Sequence, residues 1–189
     1  VICSVASALN ALLVYQVAGA GYVMSSTILS NPPVTSDPRT YWVRNMSLQA
    51  LARNTNLICG GGGSLAAGPG TEQQLWEIAG LASIISVAGG HIMHGPRKSK
   101  LVKANQGTGW ESRWMTEVAR ATGSLKRSEV NDVVKYILSK FKDSISKETA
   151  PEGYSFEELY NPDTCEIKAE YLGKYHKVKQ DLESWGLRF

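Results

Sequence analysis

The chain has 189 residues, of which 20 are Lys or Arg and 17 are Asp or Glu, giving a formal charge of +3. That length supports one sizeable hydrophobic core, and the slight basic excess, without a basic-aromatic platform, leaves no footprint for nucleic acid. The charge is uneven: residues 1–94 carry three basic and three acidic residues, and residues 95–189 carry the other 17 and 14.

Residues 1–17 read as a helix with Val5, Leu9, Leu12 and Leu13 on one side. No charge occurs before Asp37, so residues 1–23 are long enough for a membrane span. Ser4, Ser7, Asn10 and Gln16 dilute that segment, Gly19 and Gly21 interrupt it, and no basic flank marks a signal peptide. The alternative, adopted here, is a core helix followed by a buried strand, as a parallel sheet requires. Residues 21–29 are the expected strand, ended by Asn31-Pro32-Pro33. Asp37 as N-cap and Pro38 in the first turn begin a helix reaching Asn54. Residues 56–59 are expected as a short buried strand and 60–70 as a glycine-rich loop. Thr71-Glu72-Gln73-Gln74 spells a capping box, and Gly89-Gly90 stops the helix it opens. Residues 91–94 form another short strand. The alternation βαβαβ predicts a parallel sheet with helices outside.

A polar loop is expected at 95–108. Gly109 and Gly123 then bracket a helix with Trp114, Met115, Val118 and Thr122 on one face, and Arg113 and Glu117 side by side. Ser128 is placed as the cap of the next helix, whose stripe is Val130, Val133, Val134, Ile137, Leu138 and Phe141. Ser155 and Glu158 spell a second capping box before Asn161-Pro162. Residues 168–185 close the chain as a helix with Leu172, Tyr175, Val178 and Leu182 in register, stopped by Gly186. Three strands do not close a barrel, and the chain opens on Val inside a predicted helix, so it reads as the C-terminal part of a longer protein.

Four groups of residues carry candidate chemistry. Gly60-Gly61-Gly62-Gly63-Ser64 lies between a strand and a capped helix, where backbone amides can hold an anion; no Gly-Lys-Ser/Thr follows, so it is not a P-loop. His91 and His94 are three apart, which on a strand turns them to opposite faces and argues against a shared metal. His94, at the strand end, is the better placed to move a proton. Glu72 sits in a first helical turn, where the dipole favours it, and Glu77 is read as facing solvent. Arg97, Lys98, Lys100 and Lys103 form a basic run suited to docking an acidic partner. Cys3, Cys59 and Cys165 are odd in number and far apart, which indicates neither a disulfide framework nor a zinc site and fits a reducing cytoplasm.

The wording of one segment is more specific than its physics. Residues 109–122, with Gly109, Glu111, Arg113, Met115 and the run Glu117-Val118-Ala119-Arg120-Ala121-Thr122, followed by Ser128-Glu129-Val130-Asn131, resemble the C-terminal part of the monomethylamine methyltransferase family. Ala67-Gly68-Pro69-Gly70-Thr71-Glu72 resembles a turn of that family, and the pattern continues without a gap to Thr122. Leu9-Asn10-Ala11, Tyr160, Glu170-Tyr171 and Asp181-Leu182-Glu183 also fit; residues 14–56 fit loosely.

The resemblance implies an α/β fold, the C-terminal part of a (β/α)₈ TIM-type barrel. Residues 1–123 would supply its last βα units and 124–189 a helical extension packed on them. It implies transfer of a methyl group from monomethylamine or a related amine to the Co(I) of a cognate corrinoid protein in methanogenesis. No cofactor would be bound directly, the corrinoid being carried by that partner. The enzyme would be a cytoplasmic homo-oligomer with no membrane or nucleic-acid partner. The family's pyrrolysine, whose ring is thought to hold methylamine, would lie upstream of Val1. The pocket candidates in this chain are then Gly62, Ser64, His91 and His94, and the docking candidates Arg97, Lys98, Lys100 and Lys103. One departure stands out: a pocket glutamine of the family falls at Gly62, which offers no side chain. That favours a bulkier methylated amine. The alternatives are a pyrrolysine-free paralogue with another methyl donor, and a barrel binding a phosphate ligand through its glycine loop.

Overall fold

The computed structural model describes residues 1–24 and 27–189. Helix α1, Ile2–Ala18, ends at Gly19, whose φ of 61° is left-handed and whose amide bonds Tyr15 O at 3.1 Å. It packs on α2, Pro38–Asn54, through its small residues. Ser4 and Ala11 are buried, Ala8 and Leu12 partly so, and the Ser47 hydroxyl of α2 donates to Ser4 O at 2.9 Å. The expected core face is therefore wrong. Val5, Leu9 and Leu13 are 52%, 54% and 62% exposed, because small side chains let the two helices approach and turn the larger ones outward. Helix α2 starts as predicted: the Asp37 carboxylate accepts the Arg39 amide at 2.8 Å, and Pro38 lies in the first turn.

Five short strands follow the expected parallel logic: β1 Val23–Met24, β2 Cys59–Gly61, β3 Ser64–Leu65, β4 Ile92–Met93 and β5 Arg97–Lys98. One sheet has the order β1-β2-β4 and the other pairs β3 with β5, all parallel. Of the predicted strand 21–29, only Val23–Met24 is β-structure among the described residues, and residues 25 and 26 lie outside them.

The predicted strand 56–59 is displaced toward the C-terminus, and the predicted loops 60–70 and 95–108 each contain a strand. The glycines misled because they serve close approach, not turning. A Cβ on Gly60 would lie 1.9 Å from Ile92 O, and one on Gly63 2.6 Å from a Leu81 methyl.

Helix α3, Glu72–Val87, is the centre of the molecule. Every residue from Gln74 to Ile85 is buried, which accounts for its lack of a polar face. Thr71 caps it by accepting the Gln74 amide at 3.2 Å. The second half of the expected box is absent, since both polar atoms of the buried Gln74 side chain lack partners.

Helix α4, Gly109–Thr122, buries Trp114, Met115, Val118 and Thr122 as predicted, and Arg113 Nε reaches Glu117 at 2.8 Å. Its box is made by Thr108 and Glu111. Helix α5, Arg127–Ser139, begins at Lys126 and not at Ser128, because Glu129 is spaced to accept the Lys126 amide, at 2.6 Å. Helix α6, Lys142–Ser146, is too short to show a period. Helix α7, Phe156–Leu159, has the predicted Ser155–Glu158 box. Helix α8, Ala169–Ser184, buries Tyr171 in place of the expected Leu172, together with Tyr175, Val178 and Leu182. One apolar cluster links α1–α8 with strands β1–β4. No helix among the described residues is long and apolar enough to cross a membrane.

Candidate functional site

Strands β2 and β3 form one extended segment broken only at Gly62-Gly63. Cys59, Gly60 and Gly61 are all buried, and burial then alternates: Gly62 and Ser64 are half-buried, while Gly63 and Leu65 are buried. A strand sends successive side chains to opposite faces, and the neighbours identify each face. A Cβ on Gly61 would meet Arg44 Cδ and Ile85 Cδ1, both at 3.3 Å, on α2 and α3. A Cβ on Gly62 would meet His94 Cβ at 3.0 Å and Met24 Cε at 3.7 Å. One face is thus packed by helices, and the other presents Gly62, Met24 and His94. Tyr22 joins this open face, its ring 6.1 Å from that of His94.

The pocket candidates separate accordingly. Gly62, Ser64 and His94 share the open face, whereas His91 lies beside Cys59, its Nδ1 3.3 Å from the Cys59 amide and 3.8 Å from Sγ. The Ser64 backbone is committed to Thr35, whose Oγ1 accepts the Ser64 amide at 2.8 Å and whose own amide donates to Ser64 O at 2.7 Å. The proposed anion loop is not formed as such, since Gly60 and Gly61 belong to a strand with neighbours on both sides. Tyr22 and Met24 fall within the expected strand 21–29 but carry no local signal of a site, since only the fold brings them beside His94 and Gly62.

The basic run also divides. Lys98 is only 5% exposed and its ammonium is paired with Glu152, so it is not part of an outer basic surface. Lys103 pairs with Glu158 at 2.8 Å. Arg97 and Lys100 are exposed.

Glu77 corrects the sequence reading most sharply. Its side chain is fully buried, and its carboxylate accepts Ser36 Oγ at 2.5 Å, the Ala66 amide at 2.7 Å, Gln73 Nε2 at 2.8 Å and the Ala67 amide at 3.1 Å. Burial pushes its carboxyl above the usual range, against the pull of these donors. Glu77 thereby ties the loop leaving β3 to the loop before α2. Between these loops and β5 lies a cavity of about 180 Å³, lined by Pro33, Val34, Ala66, Lys98, Ser99 and Glu152 among others. On the helix side of the sheet, the guanidinium of buried Arg44 has no hydrogen-bond partner among the described residues, and burial lowers its pKa to about 10.

Parallel strands with helices on one face and open strand ends on the other are the parts of a barrel whose ligands meet the C-terminal strand ends. The comparisons agree. The crystal structure of the Methanosarcina barkeri monomethylamine methyltransferase superposes with a TM-score of 0.93 at 26% identity, over 98% of this chain and 40% of that one. A structure of the hydroxylamine MtmB complex matches with the same values. This chain is a partial α/β segment of that TIM-barrel fold. In sequence it is 31% identical over 155 residues to monomethylamine methyltransferase MtmB of Methanosarcina mazei, covering 82% of this chain and 33% of that protein. It is 29% identical over 188 residues to MtmB1 of Methanosarcina barkeri, covering 100% of this chain and 40% of that protein. The chain therefore spans no more than 40% of the length of these relatives. The family described as monomethylamine methyltransferase MtmB matches residues 1–187, and the chain belongs to that family.

Proposed function

We propose that this chain forms part of an enzyme that transfers a methyl group from a methylated amine to the Co(I) of a cognate corrinoid protein. The observation that carries the reading is the family match over residues 1–187. The open strand face adds to it. Gly62 lets His94 and Met24 approach the strand closely, a Cβ there lying 3.0 Å from His94 Cβ and 3.7 Å from Met24 Cε, and the face lies where such barrels do their chemistry.

In the transfer the C–N bond breaks, and the nitrogen keeps the bonding electrons and leaves as the amine after protonation. The corrinoid supplies the Co(I) electron pair that takes the methyl group. Met24 and Tyr22 give the face apolar walls that exclude water from the methyl group, and His94 stands where it can deliver the proton to the departing nitrogen. Glu77 acts at a distance, by holding the loop that leaves β3.

The test mixes the full-length polypeptide with monomethylamine and a reduced corrinoid protein and follows the Co(I) absorbance. Loss of that absorbance with stoichiometric release of ammonia supports the reading. Persistence of Co(I) with both monomethylamine and larger methylated amines overturns it.

A further inference from the structure

The pairing between the two halves of the β2–β3 segment and its neighbour is not uniform. Gly60 pairs with Ile92 and Gly61 with Met93, but Ser64 then pairs with Arg97 and Leu65 with Lys98. Two residues, Gly62 and Gly63, are therefore faced by three, His94, Gly95 and Pro96. This is a β-bulge in a parallel pair, a feature associated with re-aimed side chains near active sites. Bonds on each side frame it: the His94 amide donates to Gly61 O at 3.0 Å, and the Arg97 amide to Gly63 O at 3.0 Å.

The surroundings show how the extra residue is absorbed. A Cβ on Gly95 would meet Ser112 Oγ of α4 at 2.7 Å, and Pro96 Cβ lies 3.4 Å from the Cβ position of Gly63, which also faces Leu81. Two consecutive residues thus point into the helix layer. His94 before them and Arg97 after them both face the open side, although residues three apart on a regular strand face opposite ways. Lys98 is sent the other way, onto Glu152. The open face consequently carries Gly62, His94 and, one step further along the strands, Ser64 beside Arg97. Arg97 is exposed and has no ion pair among the described residues, unlike Lys98 and Lys103.

An arginine is a poor neighbour for a bare methylammonium cation, because the two repel. It is the preferred partner of a planar carboxylate, which it grips with two parallel N–H donors. Successive positions on one face of a strand are about 7 Å apart, a distance an arginine side chain can lean across. We propose that the open face takes a methylated amine that also bears a carboxylate, an N-methyl amino acid. Arg97 holds the carboxylate, Ser64 lies beside it, and the N-methyl group is directed toward His94 and Met24. The bulge is the device that brings Arg97 to this face. The assignment rests on the methyl-transfer reading above and narrows its substrate class.

The experiment uses the full-length polypeptide and its Arg97→Met variant, with N-methylglycine and monomethylamine as probes. Equilibrium binding is measured by calorimetry, and methyl transfer by the Co(I) absorbance. The expected result is that the parent binds N-methylglycine at least tenfold tighter than monomethylamine. In Arg97→Met that ratio falls at least tenfold, with the loss of transfer appearing in KM and restored in part by Arg97→Lys. Equal binding of the two amines by the parent, or an unchanged ratio in the variant, overturns the proposal. Transfer from monomethylamine alone would sink the carboxylate assignment and leave the methyltransferase standing. Tight binding of N-methylglycine without transfer would support the subsite and sink the methyl-transfer reading.

Discussion

Glu77 is shut off from bulk solvent, and four donors surround its carboxylate: two backbone amides, a hydroxyl and a carboxamide. Because all four donate, an amide side chain would set its own N–H groups against at least one of them. Glu77→Gln is expected to cost about 2–3 kcal/mol, the scale of a lost charge-assisted bond plus a buried donor left unpaired; urea denaturation measures it. Glu117 gives the opposite pH signature. Partial burial pushes its carboxyl up, but the Tyr175 hydroxyl, Arg113 and Lys179 outweigh that, and its pKa lies below the ordinary 4.5. A depressed folded-state value contributes stability above pH 4.5 that disappears as the pH falls through that value. Glu117→Gln should therefore be less stable than the parent at pH 7, with the deficit closing on acidification below pH 4.5. A constant deficit across that range would contradict the assignment. Apart from the Arg113–Glu117 spacing, neither role is legible in the sequence. Ser36 lies 41 residues from Glu77, and Tyr175 lies 58 from Glu117, so only the fold brings the partners together.

The helices were legible because their signals are local. Asp37-Pro38, Ser155 with Glu158, and the 3.6-residue spacing of Trp114, Met115, Val118 and Thr122 all act within one or two turns. The seam between α4 and α8 adds what spacing alone cannot show. The ring of Trp114 meets that of Tyr175 at 5.2 Å edge-on and stacks on Phe189 at 5.3 Å, and its indole N–H donates to Leu75 O at 2.9 Å. Trp114→Ala should cost about 3–5 kcal/mol, read as a fall in the thermal midpoint, whereas Trp42→Ala, at a site 48% exposed, should cost far less. The strands resisted prediction for the converse reason. Segments of two or three residues contain no full period, and their glycines imitate a loop. The bulge is invisible in either strand alone, since it exists only in how two segments 32 to 33 residues apart are matched.

At the scale of the whole molecule, the family was legible from collinear wording across separate segments, which no periodicity supplies. The exposed side of α1 was not. Ile2, Val5, Leu9, Leu13 and Val17 are 85%, 52%, 54%, 62% and 83% exposed and form a continuous apolar stripe of the kind that marks an interaction surface. The relatives are about two and a half times as long, and nothing within residues 1–24 and 27–189 covers this side. Residues 1–189 expressed alone should therefore self-associate, as measured by light scattering. Val5→Lys with Leu9→Gln and Leu13→Lys should restore the monomer while leaving the helical circular dichroism unchanged.

The bulge makes chain length a heritable variable of this surface. A substitution at Arg97 changes one side chain, but insertion of a single residue between Gly62 and Gly63 would match three residues to three, straighten the pair and rephase everything after it. Arg97 would swing into the helix layer and Lys98 would leave Glu152 for the open face, exchanging a guanidinium for an ammonium without altering either codon. Lineages that differ here by one residue would thus diverge in the charge they present through insertion or deletion, a route that comparison of aligned positions alone would record as a gap.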